Sequence, residues 1–294
     1  MLSLNIINKL FTSEKIVKSL HIGIMCGRMS PQIDNKIQIF PASSWKNEFT
    51  AASECGFDSI EWIFDLQKNP VSDEQGLSEM KKLSAMHNVQ INSLCADYFM
   101  EKLLFNVNES NLSKNIQTLQ KLILNCHKLE IQILELPFVD LSSLKTRDEE
   151  NQLVANLDKS ISLAEKNDIT ITFETDLKPK RFVEFLKKFE HKNIAANYDT
   201  GNSAFLGYDV SEEISALGSW ISNIHIKDRL LHGKTVDLGT GNTNFDLFFS
   251  ELKKLNYKGE LIIQGARNDS QEKPEITCKK YLGFVKQYLH KHSL

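Results

Sequence analysis

The sequence has few cysteines, no long apolar run and almost no net charge, and each absence excludes a class of protein. Its five cysteines are widely spaced and include no CxxC pair, which disfavours a disulfide framework or a thiolate zinc site. No apolar run approaches the ~20 residues that span a bilayer. The 35 basic and 38 acidic residues leave a net charge of -3, which offers no global field to a nucleic acid. We therefore expect a cytoplasmic protein that binds neither a membrane nor a nucleic acid.

The composition is that of an ordinary globular protein. Of the 294 residues, 41% are hydrophobic and 25% are charged, and this length is ample for a large core. Residues 1–20 are interrupted by Asn, Lys and Glu and lack the continuous apolar region of a signal peptide, so we predict a short N-terminal helical extension. No linker or shift in composition divides residues 21–294, which we interpret as one domain.

Eight short apolar runs alternate with amphipathic segments along the chain. The predicted strands are 21–25, 59–64, 89–95, 131–136, 169–174, 193–199, 221–227 and 259–264. The predicted helices are 44–55, 75–87, 111–128, 148–166, 179–190, 211–219, 244–255 and 273–290. Such alternation is typical of parallel βαβ units, and eight units of roughly 30–35 residues predict an α/β fold, a (β/α)8 TIM barrel. A dinucleotide-binding sheet is disfavoured because GIMCGRMS, after the first strand, contains no GxGxxG.

The carboxyl ends of the strands are where a barrel of this kind places its chemistry. The last four predicted strands each end near a polar residue, in order Glu174, Asp199, His225 and Gln264. Because neighbouring strands are about 4.8 Å apart, these side chains can converge on one point. Carboxylates, an imidazole and an amide oxygen suit one divalent metal ion, namely Mn²⁺, Mg²⁺, Co²⁺ or Zn²⁺. The alternative is that the carboxylates are ion-paired and His225 is a hydrogen-bonded core residue.

Further polar residues at the strand ends are candidates for substrate binding. The first four strands contribute Arg28, Glu61, Asp97 and Glu135, and the last two loops contribute Lys227, Arg229, Lys234 and Arg267. Lys227 lies two residues after His225 on the same predicted strand, so its side chain should also face the barrel axis. We therefore take Lys227 as a second catalytic candidate. The LGTGNTNFD loop predicts backbone amides that attract an anion where barrels tend to bind phosphate, although a glycine turn with solvated cations fits the loop as well.

At these residues the chain resembles the xylose-isomerase-like superfamily of TIM-barrel sugar and sugar-phosphate isomerases and epimerases. The resemblance runs from about residue 20 to the C-terminus and is carried, in order, by GFDSIEW, ITFETD, NYDTGN, HIKD, LGTGNTNF and YKGELIIQ. The chain looks most like ketose 3-epimerases and L-ribulose-5-phosphate 3-epimerase-like proteins. The resemblance implies a sugar or sugar phosphate as substrate and a dimer or tetramer. It also implies one metal held by Glu174, Asp199, His225 and the residue at 264.

Gln264 stands where the resemblance implies a second glutamate. An amide can ligate a metal through its oxygen but cannot act as a general acid or base. A one-base reaction remains open, in which Glu174 shuttles a proton on one face of an enediolate whose charge the metal stabilises. The candidates for a second proton donor are Glu61, Asp97, Glu135 and Lys227.

These residues favour a metal-dependent sugar isomerase or epimerase over three alternatives. A lyase that resembles inosose dehydratase would use the same ligands, and a catalytically inactive sugar-binding homologue would retain the pocket. A nuclease resembling endonuclease IV is disfavoured because that chemistry needs several zinc ions and more histidines at the strand ends. Here only His225 is well placed, with His232 as a possible neighbour in the loop.

Overall fold

Eight parallel strands close into a barrel, which confirms the predicted (β/α)8 fold. This computed structural model describes residues 20–267 and 272–294. The strands are β1 (Ile22–Met25), β2 (Ser59–Ile63), β3 (Ser93–Cys95), β4 (Ile133–Phe138), β5 (Thr170–Thr175), β6 (Ile194–Asp199), β7 (Ile221–Ile226), β8 (Asp228–Arg229), β9 (Thr235–Val236) and β10 (Glu260–Ile263). β10 pairs with β1 and closes the barrel, whereas β8 and β9 form a separate antiparallel hairpin.

The helices cover the outside of the barrel. They are α1 (Trp45–Cys55), α2 (Glu74–His87), α3 (Tyr98–Glu101), α4 (Glu109–Lys128), α5 (Arg147–Lys166), α6 (Pro179–Leu186), α7 (Thr200–Leu206), α8 (Val210–Leu217), α9 (Phe245–Leu255) and α10 (Pro274–His292). All eight predicted helices are present, while the short α3 and α7 follow strands directly and were not predicted. Within the described ranges, no helix has the length and apolarity needed to cross a membrane.

Local sequence signals explain where several helices begin and end. Thr146 and Glu149 form a reciprocal capping box at the start of α5, which satisfies amide groups that have no partner inside the helix. Asn244 caps α9 by accepting from the backbone N–H of Leu247. Gly56 and Asn256 end α1 and α9 in the left-handed conformation, which Gly and Asn adopt more readily than other residues.

The apolar core lies between the barrel and the helices. The apolar face of α5, which includes Leu157 and Ile161, is buried there. Phe173 on β5 stacks at 5.0 Å on Phe189, measured between ring centroids. Because successive side chains of a strand point to opposite faces, the alternate positions point into the barrel.

The upper interior of the barrel is polar, in contrast to this outer core. Its buried side chains include Glu61, Glu135, Thr172, Asn197, Asn223 and His225. The strand register places Asp199 beside His225 and Cys95 beside Glu135. Several strands therefore bring polar groups to one level, directly below the carboxyl end of the barrel.

Two predictions about the first half of the chain have different outcomes. The N-terminal helix predicted over 1–20 falls on residues 1–19, which lie outside the described residues, so it stays a prediction. The strand predicted over 89–95 is shorter, because Gln90 makes only an isolated bridge to Ser59 before β3 begins at Ser93.

Candidate active site

Glu174, Asp199 and His225 meet at the carboxyl ends of β5, β6 and β7. The Nδ1 atom of His225 lies 3.2 Å from Oε2 of Glu174 and 3.9 Å from Oδ2 of Asp199. One potential ligand atom from each residue lies within 4.8 Å of the other two. Three of the four predicted metal ligands are therefore brought together.

The other side of the His225 ring faces two more carboxylates. Its Nε2 atom lies 2.6 Å from Oε1 of Glu61 and 3.1 Å from Oε2 of Glu135, and Asn223 donates to the second oxygen of Glu61 at 2.8 Å. Burial lowers the pKa of His225, but the charges of Glu135 and Glu61 outweigh it, so the pKa lies well above its usual value. This cluster of carboxylates therefore favours a positive charge at its centre.

Two asparagines that the sequence analysis did not single out hold the carboxylates in place. The Nδ2 atom of Asn197 lies 2.7 Å from Oε2 of Glu174, 3.2 Å from Oε1 of Glu135 and 3.1 Å from Nδ1 of His225. Asn202, in the first turn of α7, donates to the other oxygen of Glu174. Asn197 lies two residues before Asp199 on β6, so both side chains point to the same face of the strand. This spacing is the signal that could have identified Asn197.

The carboxyl group of Glu174 is more acidic than that of an ordinary glutamate. Burial raises the pKa of Glu174, but the hydrogen bond and charge of His225, with Lys227, lower it to about 2. Glu174 is therefore ionised at neutral pH, as a metal ligand or a base must be.

Asp199 and Lys227 form a second charged contact at the same level. The Oδ1 atom of Asp199 accepts from the backbone N–H groups of Gly201 and Asn202, and its Oδ2 atom lies 3.4 Å from Nζ of Lys227. Burial raises the pKa of Asp199, and although the charge of Lys227 opposes this, the pKa stays above its usual value. Lys227 thus faces the axis, in agreement with its predicted parity.

Gln264 lies at the end of β10, beside the end of β7. Its backbone N–H donates to the carbonyl of Ile226 at 2.9 Å, and its side-chain Nε2 donates to Oε1 of Gln38 at 2.8 Å. Its side-chain oxygen is buried and has no hydrogen-bond partner. A buried carbonyl oxygen without a donor is costly, and a cation would satisfy it.

A cavity of about 430 Å³ opens above these groups, within the size range of small-molecule sites. The predicted site residues that line it are Arg28, Asp97, Glu135, Glu174, Lys227, Arg229 and Gln264. The cavity is also lined by Gln38 and Lys36 from the loop after β1, and no periodicity in that loop marks either residue. Glu61 lies beneath His225 and does not line it, while Lys234 is exposed on the turn between β8 and β9.

Arg28 and Arg267, both predicted to bind substrate, use their guanidinium groups to hold loops. Arg28 donates to the carbonyls of Gly265 and Ile37 at 3.0 and 2.7 Å, and burial together with the charge of Arg267 lowers its pKa to about 10. Arg267 donates to the carbonyls of Gly27, Ser30 and Ile37. Both side chains thus fix the loop after β1 to the loop after β10.

The LGTGNTNFD loop does attract an anion, but the anion belongs to the protein. Oδ2 of Asp228 accepts from the backbone N–H groups of Gly239 and Gly241 at 2.9 and 2.8 Å, and Oδ1 accepts from that of Thr243 at 3.0 Å. A Cβ atom at Gly241 would lie 2.3 Å from Oδ1 of Asp228, so only glycine allows this approach. The expectation that these amides bind a substrate anion is therefore wrong, because the carboxylate of Asp228 already accepts from them. The sequence alone does not reveal this partner.

The geometry of the donors fits a divalent cation. A cation that displaces the Nδ1 proton of His225 would leave the ring donating Nε2–H to Glu61, with the Nδ1 lone pair facing Glu174 and Asp199. Histidines that bind metals commonly use a carboxylate in this way. Two carboxylates and one imidazole, brought together in this way, are hard-to-borderline donors of the kind that such a cation prefers.

Comparisons with known proteins agree with this fold. The family described as xylose isomerase-like TIM barrel matches residues 49–280. A probable L-ribulose-5-phosphate 3-epimerase of Mycoplasma pneumoniae is 26% identical over 242 residues, which are 78% of this chain and 79% of that protein. A solved L-ribulose 3-epimerase has a TM-score of 0.75 at 18% identity, covering 93% of this chain and 96% of that one. A xylose isomerase-like TIM-barrel protein from Mycobacterium smegmatis, solved with magnesium, has a TM-score of 0.69 at 17% identity, covering 94% and 98%.

Proposed function

The chain belongs to the xylose isomerase-like TIM barrel family, and from that premise we propose that it is a divalent-metal-dependent isomerase or epimerase of a sugar or sugar phosphate. One observation carries the proposal. Glu174, Asp199 and His225 present ligand atoms within 4.8 Å of one another, and Glu174 also lines the cavity. A metal site and a proton acceptor are thus combined at a cavity of the right size.

The residues that would hold the metal are Glu174, Asp199, Nδ1 of His225 and the side-chain oxygen of Gln264. When bound, a divalent cation such as Mn²⁺, Mg²⁺, Co²⁺ or Zn²⁺ would polarise the carbonyl and hydroxyl oxygens of a sugar and stabilise an enediolate charge. Glu61 and Asn223 would keep the ring of His225 in orientation from below.

Glu174 is the proposed base. Its ionised carboxylate takes the proton from the carbon that carries a hydroxyl group next to the carbonyl, and the C–H electron pair becomes the double bond of an enediolate. Return of the proton to the neighbouring carbon, as the hydroxyl proton passes to the former carbonyl oxygen, gives an isomer, whereas delivery of a proton to the opposite face of the same carbon gives an epimer. Lys227 lines the cavity 3.4 Å from Asp199, and we propose that its ammonium group donates a hydrogen bond to a substrate oxygen.

The cations at the cavity bear on the substrate class. Arg229 lines the cavity, lies 3.8 Å from the centroid of the Phe205 ring and donates to the Asn202 side chain. Because Asp228 occupies the amides of the glycine loop, a phosphate on the sugar would instead meet Arg229 and Lys36. A matched pair of a ketose and its phosphate, L-ribulose and L-ribulose 5-phosphate, distinguishes the two classes.

A dehydratase is the second candidate, and the amide at Gln264 favours it. With no carboxylate at that position, an enediolate formed by Glu174 can expel a neighbouring hydroxyl group rather than recover a proton. Proton NMR of the product separates the two functions, because the lyase product has lost one water and contains a deoxy or enol carbon.

The test begins with elemental analysis of protein purified without added metal, followed by a screen of ketoses and their phosphates. We expect a chelator to abolish turnover and one of the four divalent ions to restore it, and we expect Glu174→Gln to be inactive. Unchanged turnover after complete metal removal would contradict the proposal. Binding of a sugar without turnover under any metal would identify an inactive homologue.

A further inference from the structure

Three side chains form a hydrogen-bonded row at the cavity. Nε2 of Gln264 donates to Oε1 of Gln38 at 2.8 Å, and Nε2 of Gln38 donates to Oδ2 of Asp97 at 2.7 Å. All three residues line the cavity. The row therefore joins the position that has lost its carboxylate to a carboxylate that faces the same cavity.

Gln38, the middle residue of the row, lies on the wall that faces Glu174. In the barrel order, β1 is four strands from β5 in either direction, through β6, β7 and β10 or through β4, β3 and β2. Gln38 comes from the loop after β1, while Gln264 and Asp97 follow β10 and β3, which are three and two strands from β5. A sugar in the cavity would thus have Glu174 on one side and Gln38 on the other, with Asp97 approaching it from a different strand than Glu174.

The orientation of the Gln38 amide is fixed from two sides. Arg28 donates to Oε1 of Gln38 at 3.3 Å, while Asp97 accepts from its Nε2 atom. The carbonyl oxygen of Gln38 therefore points at residue 264 and needs a donor there, which glutamine supplies and an ionised glutamate would not. The amide of Gln264 and the carboxylate of Asp97 are thus both held by hydrogen bonds to the side chain of Gln38.

Of the other carboxylates near the cavity, Glu101 and Asp140 are exposed, and the rest are committed elsewhere. Glu61 and Glu135 contact His225 in the floor, and Asp199 caps α7 and pairs with Lys227. Asp65 accepts from two backbone N–H groups, one in each adjoining loop. Asp97 has as partners Gln38 and the thiol of Cys95, the latter at 3.1 Å.

We propose that Asp97 is the second acid–base residue of the reaction, carrying out on the face opposite Glu174 the proton transfer that Gln264 cannot perform. Gln38 is the positioning residue that holds Asp97 and the side chain of Gln264 in this arrangement. The inference rests on the proposed function, and it selects epimerisation over a one-base isomerisation.

The step balances without an oxidant or a reductant. Glu174 removes the proton from the carbon beside the carbonyl, and the C–H electron pair forms the enediolate double bond. The acid form of Asp97 then gives its proton to the opposite face of that carbon, and the double-bond electrons form the new C–H bond as the carbonyl returns. Glu174 ends protonated and Asp97 ionised, and exchange with water restores both.

The environment of Asp97 suits an acid of this kind. Burial raises the pKa of Asp97, the hydrogen bonds from Gln38 and Cys95 lower it, and the pKa remains above its usual value. The acid form is therefore more populated at a given pH than that of a solvated aspartate, and general acids work best when their pKa approaches the operating pH.

The experiment uses the ketose that the wild-type enzyme converts, in D₂O with the activating metal, and follows epimer formation and deuterium incorporation by NMR. Asp97→Asn keeps an acceptor for Gln38 but cannot transfer a proton. We expect it to lose epimerisation by at least about 10²-fold while Glu174 still exchanges the substrate proton for deuterium without inversion. Glu174→Gln should lose both epimerisation and exchange.

Two controls separate this role from a structural one. Asp168→Asn removes an exposed carboxylate that precedes β5, at the end of the barrel away from the cavity, and should leave both rates unchanged, and Asp97→Glu should recover part of the epimerisation. Asp97→Asn that epimerises at the wild-type rate, or that loses exchange as completely as epimerisation, would overturn the inference. A wild-type enzyme that only isomerises overturns the inference but not the proposed function, whereas one that converts no sugar with any metal overturns both.

Discussion

The Oε1 atom of Glu61 lies 2.6 Å from the Nε2 atom of His225, and both side chains are fully buried. The contact joins β2 to β7 across the barrel interior, and it fixes which nitrogen of the imidazole faces the proposed metal. Asn223 supports it by donating to the second oxygen of Glu61, while its own side-chain oxygen has no hydrogen-bond partner.

Glu61→Gln is expected to weaken metal binding about 10- to 100-fold, the usual effect of removing a carboxylate behind a ligating histidine. The amide can still accept from His225, and Asn223 can turn its unpartnered oxygen towards the new NH₂ group, so the fold should persist. Calorimetric titration with Mn²⁺ measures the effect. Glu260→Gln is the matched control, since Glu260 is also buried in the barrel but bonds to Ser59 and Asn92. Equal affinities for the two variants would refute the role of Glu61.

Gly201→Ala is expected to displace Lys227, because a Cβ atom at 201 would lie 2.6 Å from its Cγ atom. Overpacking of this kind costs about 1–3 kcal/mol in the free energy of unfolding, and turnover should fall as Lys227 moves away from Asp199. Gly283→Ala is the control, since a Cβ there meets no atom within 4 Å, and a helical alanine should add roughly 0.5–1 kcal/mol. Urea unfolding gives the free energy of unfolding of each variant, and turnover rates measured alongside show whether only Gly201→Ala loses activity.

Arg267→Lys tests whether Arg267 holds a loop or binds substrate. Lysine keeps the charge but cannot reach the carbonyls of Gly27, Ser30 and Ile37 together, so we expect a loss of at least about 2 kcal/mol in stability. A raised KM with unchanged stability would instead indicate substrate binding. Lys234→Ala should change neither quantity, because its side chain is exposed away from the cavity.

Glu213→Gln is expected to remove a pH dependence of stability. Burial raises the pKa of Glu213 from 4.5 to about 7, against the lowering effect of hydrogen bonds from Ser203 and Tyr198. The folded state therefore holds the proton more tightly than the unfolded state does. The free energy of unfolding should fall by up to about 3 kcal/mol as the pH rises from 4.5 to 7.

The glutamine variant keeps an acceptor for Ser203 and Tyr198 but has no proton to lose. It should be more stable than the wild type at pH 8 and closer to it at pH 5, by urea unfolding at both values. An unchanged pH dependence in the variant would assign the titration to another group.

The barrel could be predicted because its signals are periodic. Leu157 and Ile161 repeat on one helical face, and Glu174 and Asp199 each stand at the end of an apolar run, so both the elements and the strand-end residues follow from spacing. The helix predicted over 179–190 ends at Leu186 instead. Phe189 is buried in the turn that follows, and the sequence does not show whether a buried apolar residue lies in a helix or in a turn.

The partners of charged groups could not be predicted in the same way. Arg28 and Arg267 were identified as cations at strand ends, but their partners are backbone carbonyls, which sequence does not reveal. Gln38 lies in a loop without periodicity and reaches the site only because those two arginines hold its backbone. Asp228 was missed because an aspartate beside a glycine loop gives no sign of whether it fills that loop.

The hydrogen bond between Gln264 and Gln38 joins positions 226 residues apart, at the seam where β10 meets β1. During synthesis the edge of β1 that pairs with β10 therefore stays uncovered until β10 has been made. Exposed strand edges of this kind promote aggregation. A nascent chain that stops before β10 has neither this seam nor one wall of its substrate chamber. Catalytic competence should thus appear all at once, at the end of folding, rather than accumulate with each added βα unit.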